Sequence, residues 1–204
     1  SVAALPTLKP LARPAPGHSW AALRAMIRLD MLFVLRSPAF AVLLALGLFN
    51  ALSGLSSVAE MGGVPYFPVT RAVVEMLTGA FAIIPLIVAI YYGGELVWRD
   101  RDYRMHEIVD ATATPSWVFV LPKVLAMGLV LLSSLLIAML GAVLFQLIMG
   151  YTHLELGSYL LWFVLPVLIG SLQYAILSIF VQTLVPSKAA GWAVMLLQVV
   201  ASIA

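Results

Sequence analysis

The sequence predicts an all-α integral membrane protein, a polytopic bundle of transmembrane helices preceded by an amphipathic helix lying in the membrane interface. Three observations lead there. The chain is 63% hydrophobic and 10% charged, whereas soluble domains hold about 45–50% apolar and about 25% charged residues. Apolar runs recur at the roughly 20-residue length that a helix needs to cross the hydrocarbon core. The basic residues also segregate by loop. Of 11 in the chain, Lys9, Arg13, Arg24, Arg28, Arg36, Arg99, Arg101, Arg104, Lys123 and Lys188 fall on one side of the expected spans, and Arg71 alone falls on the other.

Residues 1–18 are Pro-rich ("ALPTLKPLARPAPG") and read as an extended linker. Residues 19–37 place Arg24, Arg28 and Arg36 at multiples of four, on one helical face, with Trp20, Leu23, Ile27 and Leu35 largely elsewhere. That layout suits a helix lying in the interface plane. Spans are expected at 38–58, 72–93, 124–150 and 158–185, with a fifth run at 189–204. The chain opens on Ser1 and closes inside that last run, so the expectation is a piece from the middle of a longer protein, its final span truncated. The positive-inside rule puts residues 1–37, 95–123 and 186–190 in the cytoplasm, and loops 59–71 and 151–157 outside. Trp98, Trp117, Tyr91, Tyr92 and Tyr151 fall near span ends, where amphipathic rings prefer to sit.

Little in the spans suits ion or proton chemistry. Glu75 follows Arg71 by four residues and is placed to pair with it. Glu95 sits at the inner end of the same span, and the next two spans carry no ionisable residue beyond Lys123 at a boundary. Asn50, Gln146, Gln173 and Gln182 are expected to hydrogen-bond between helices, and Ser134, Ala138 and Ala142 form a small-residue face for close packing. The absence of cysteine excludes disulfides and thiolate metal sites.

The charged stretch "RDRDYRMHEIVDA", residues 99–111, contains His106-Glu107, half of the zincin signature H-E-x-x-H. Asp110 stands where the second histidine would be, and neither His18 nor His153 lies on a segment that could supply a third ligand, so no metal site is expected. No nucleophilic triad and no phosphate-cradling Gly-rich loop is visible, so no enzyme activity is expected of this segment. Read as a helix, 97–110 aligns Trp98, Met105, Ile108, Val109 and Thr112 along one stripe, and Asp100 precedes Arg104 by four residues. Thr114-Pro115-Ser116 then breaks the helix and starts the next one. A simple connection needs only a few residues. This longer, patterned one reads as a partner-binding helix.

These residues carry a resemblance. "GGELVWRDRDYRMHEIVDATATPSWVFVLPKVLA" resembles the cytoplasmic loop after the second span of type-2 ABC exporter permeases, with Glu107, Pro115 and Lys123 in the family's order. Met105-His106 stands where that family usually has glycine-threonine. "LRSPAF", "YFPVTR", "GELVWRDRDYRMHEI" and "LPKVLA" are similar to stretches of bacterial permeases fused to an aminopeptidase-N-like metallopeptidase. The resemblance implies a permease segment of an ATP-driven exporter in the bacterial cytoplasmic (inner) membrane. It implies no cofactor in this chain, ATP bound on a partner, and as partners an ATP-binding cassette subunit, a second permease half or protomer and the bilayer, with no nucleic acid. Residues 97–110 would be the coupling helix, with Trp98, Met105, Ile108 and Val109 as apolar anchors and Arg99, Arg101, Arg104 and Glu107 setting orientation. The alternatives are a membrane anchor for a larger metallopeptidase fusion and a secondary transporter, which would need ionisable groups inside the bundle.

Overall fold

A computed structural model describes residues 18–59, 68–102 and 117–203, and every regular element among them is helical. The helices are α1 (His18–Leu35), α2 (Pro38–Ala59), α3 (Thr70–Phe81), α4 (Ile83–Asp102), α5 (Trp117–Ile148), α6 (Leu156–Leu184) and α7 (Lys188–Ile203). Among the described residues, four stretches are long and apolar enough to cross a membrane: α2, α3 with α4, α5 and α6. The protein is a multi-pass membrane helix bundle. Leu140, Leu144, Ile148, Leu161, Leu165, Leu196, Leu197 and Val200 are exposed on its flanks, an outer surface that suits lipid and would aggregate in water.

Local chemistry sets the helix ends. Pro38 opens α2, where its fixed φ is pre-organised and its missing N–H is not needed. Pro85 has no N–H for the carbonyl of Phe81, so the long second crossing is split at Ala82 into α3 and α4. The sequence predicts one uninterrupted span there. Gly150 ends α5 at φ 79°. Its N–H donates to the carbonyl of Leu147 (3.0 Å) and that of Tyr151 to Gln146 (2.9 Å), a Schellman closure that favours glycine. Inside α6, residues Leu160–Val164 form a π-helical turn, with the N–H of Leu165 bonded to the carbonyl of Leu160. Pro166 accounts for it: its ring crowds the carbonyl of Trp162, and a wider turn relieves the clash. Pro186 forces Val185 into an extended conformation (φ −86°, ψ 151°) and ends α6. Ser187 Oγ then caps α7 by accepting from the N–H of Ala190 (3.3 Å).

Lipid tails are as apolar as leucine, so close packing and hydrogen bonds must hold the helices together. The most extensive packing is α4 on α6. A Cβ at Gly93 would lie 2.8 Å from Ser178 Oγ, and one at Gly94 would lie 2.8 Å from both Gln182 Nε2 and Trp192 Nε1. Ser178 Oγ uses that approach to donate to the carbonyl of Ile90 (2.9 Å). The expected small-residue face of α5 is buried throughout, at Ser134, Ala138 and Ala142. Asn50 Nδ2 donates to the carbonyl of Ala80 (2.8 Å). At the end of the bundle that holds Gly150, the fully buried Gln146 joins three segments: Nε2 donates to the carbonyl of Pro68 and Oε1 accepts from Tyr159 Oη, both at 2.7 Å. Gln173, expected to bond in the same way, is instead exposed.

Candidate functional site at the charged end of the bundle

The opposite end of the bundle is built on the last turns of α4. The segment Thr70–Asp102 is 33 residues long, which at 1.5 Å per residue comes to about 50 Å, against a hydrocarbon core of roughly 30 Å. The polar residues that begin at Glu95 therefore have length to spare beyond the apolar layer. Gly93-Gly94 does not break this helix, because both glycines serve the α6 crossing. Residues 97–102, expected to start a separate short helix, are the unbroken end of α4.

Four charges interlock around it. Arg99 pairs with Asp30 of α1, and Lys123 Nζ of α5 lies 2.5 Å from Asp100 Oδ2. Cross-contacts complete a ring, Arg99 to Asp100 at 3.8 Å and Lys123 to Asp30 at 4.0 Å. Two cations thus face two carboxylates in alternation, with no net charge. Neutrality matters here because Asp30 is only 5% exposed and Lys123 only 11%. An isolated ion at such sites would carry a large desolvation penalty. The Arg99 guanidinium also lies 4.8 Å from the centre of the Phe33 ring, in cation–π range.

The neighbouring turns tie α4 to α6 and α7. Trp98 Nε1 donates to Gln182 Oε1 at 2.7 Å. Arg101 lies over the Trp98 ring (4.6 Å) and donates to the carbonyls of Thr183 (2.7 Å) and Val185 (3.2 Å). Those carbonyls lie in the last turn of α6 and just past it, where helical partners run out and the dipole favours a cation. Glu95 Oε1 meets Lys188 Nζ at 2.5 Å, and Lys188 in turn lies 5.1 Å over Trp192, which stacks on Tyr91.

Three of the residues expected to dock a partner, Trp98, Arg99 and Arg101, are therefore held by intramolecular contacts. Arg104, Met105, Glu107, Ile108 and Val109 lie outside the described residues, as do Pro115 and His106. Arg24, Arg28 and Arg36 are exposed. Trp20 lies exposed with them, while the inward positions of α1 are Asp30 and Val34. Sequence reasoning missed Asp30, though a signal was there: it is the one acidic residue in 19–37, set among apolar neighbours. Asp100, spaced to pair with Arg104, meets Lys123, while Arg104 itself lies outside the described residues. Comparison with protein families, curated proteins and solved structures returns no match.

Proposed function

We propose that this chain is the membrane-spanning permease segment of an ATP-driven exporter of the type-2 ABC class. One observation carries the reading. The end of α4, immediately before 103–110, is joined by charge and hydrogen bonds to α1, α5, α6 and α7 at once. A force applied to the segment that follows would be delivered to four other helices together. A passive membrane anchor has no use for such a junction.

In this account the charged end is cytoplasmic, as the basic-residue count favours, and the membrane is the bacterial inner membrane. Residues 103–110, with Arg104, Met105, Glu107, Ile108 and Val109, meet an ATP-binding cassette subunit. Trp98, Arg99 and Arg101 act behind them as the transmission to the bundle. ATP is bound and hydrolysed on that partner, and a second permease half completes the pathway. Helix α1 rides on the inner leaflet, its exposed Arg24, Arg28 and Arg36 at the level of the lipid phosphates.

The test is charge reversal where no intramolecular role is assigned. Arg104→Glu with Glu107→Lys should weaken capture of the ATP-binding subunit about tenfold or more, as misplaced interfacial charges do, while the bundle keeps its thermal stability. Unchanged capture and unchanged coupled ATP hydrolysis would count against the proposal. Movement of a solute driven by an ion gradient without ATP would favour a secondary transporter.

A further inference from the structure

At the end opposite the charge ring, a cleft of about 780 Å³ opens between α3 and the start of α6. Roughly 300–1,000 Å³ is usual for small-molecule sites. One wall is a single face of α3, with Arg71, Val74, Glu75 and Thr78. The other is Glu155, Ser158 and Trp162. The geometry points to a binding site for an amphipathic organic cation, its charged head at Glu155 and its apolar body against Trp162 and the bilayer flank.

The charge count selects the sign. Among the described residues the lining holds one guanidinium and two carboxylates, a net charge of −1. Arg71 is taken by Glu75, Nε to Oε1 at 3.0 Å, so those two cancel. Glu155 is left, and among the described residues its donor is the neutral hydroxyl of Ser158 (3.0 Å). A carboxylate lining the same cleft as Val74 and Trp162, with no cation on it among the described residues, is a complement for an ammonium or phosphonium group. Trp162 supplies the second element. It belongs to the π-helical turn, is 71% exposed and has the lipid-facing Leu161 and Leu165 beside it. An indole there offers its face to a cation and opens the site toward the lipid. Thr78 lies seven residues along α3 from Arg71, about 10 Å deeper, which gives room for an apolar body below the head. The Arg71–Glu75 pair, with side chains 90% and 67% exposed, is a weak surface pair that a ligand can rearrange.

The experiment is equilibrium binding of tetraphenylphosphonium to the full chain in lipid nanodiscs, with tetraphenylborate as the matched anion. The expected result is saturable binding of the cation, weakened about tenfold by Glu155→Gln and several-fold by Trp162→Ala, and preserved by Glu155→Asp. Arg71→Gln should tighten it, because the cleft then carries −2, a gain no merely structural role would produce. Binding by Glu155→Gln equal to that of the parent, or equal competition by tetraphenylborate, would overturn the assignment. That the cation is cargo rests on the transport reading above. Binding is measured without ATP or an ATP-binding subunit, so the failure of either idea is told apart from failure of the other.

Discussion

Removing Asp30 from the charge ring should be far more damaging than removing an ordinary surface carboxylate, and the damage should be repaired by removing Arg99 as well. The ring holds Asp30 and Asp100 against Arg99 and Lys123. Asp30→Asn leaves two cations facing one carboxylate, a net +1, with Arg99 left to Asp100 at 3.8 Å. Breaking a buried pair by deleting one partner costs about 3–5 kcal/mol. Arg99 is 22% exposed and Asp100 35%, so water relieves part of that, and we expect about 2–3 kcal/mol after this discount. Arg99→Gln leaves −1 and should cost a similar amount. In the double variant the Lys123–Asp100 pair at 2.5 Å stands alone and neutral, so the combined loss should fall short of the sum by about 1–2 kcal/mol, the coupling expected of residues in contact. The assay is reversible unfolding in mixed micelles titrated with dodecyl sulfate, run on the four members of the cycle. Additive losses, or single variants within about 0.5 kcal/mol of the parent, would refute the reasoning.

Two further outcomes follow from packing at the other sites. Gln146→Leu strips a buried acceptor from Tyr159 Oη and a donor from the carbonyl of Pro68. The same titration should show a loss of about 1–2 kcal/mol, and adding Tyr159→Phe should return part of it. Gly93→Val drives a side chain into Ser178, whose Oγ lies 2.8 Å from the new Cβ position, and should destabilise by about 1–3 kcal/mol or more. Gly79→Ala is the control: open space surrounds that Cβ position, so the change should be neutral or stabilising by about 0.5–1 kcal/mol.

The spans were legible in the sequence because hydrocarbon thickness sets their length, and each expected run has a helix over it. The polar bonds of Asn50, Gln146 and Gln182 were legible as a class, since an amide at hydrocarbon depth must find a partner. The partners themselves were not, because Pro68, Ala80 and Trp98 lie far away in sequence. The local pair Arg71–Glu75 was readable from four-residue spacing alone. The break at Ala82 was readable in principle from Pro85, but a long apolar run hides it. Gly93-Gly94 looks like a helix end, yet the pair marks a close crossing. Periodicity grouped Arg99 and Arg101 with the charges of the docking helix, and their intramolecular partners were not readable from a charge count. Finding them needed Asp30 and the end of α6 in place. The cleft between α3 and α6 is likewise a product of tertiary packing: Glu75 and Glu155 are 80 residues apart.

The most direct test of the account introduces single cysteines into these 204 residues, which carry none of their own. Met105→Cys and Ile108→Cys, each in the full protein in its native membrane, are treated with a short bifunctional thiol-to-amine cross-linker, and the adducts are identified by mass spectrometry. The account predicts a cross-link from both positions to an ATP-binding cassette subunit, with a yield that changes when ATP is added, and none from Glu155→Cys at the far end of the bundle. Cross-links equally strong from Glu155→Cys, or an absence of any ATP-binding subunit at Met105 and Ile108, would contradict it.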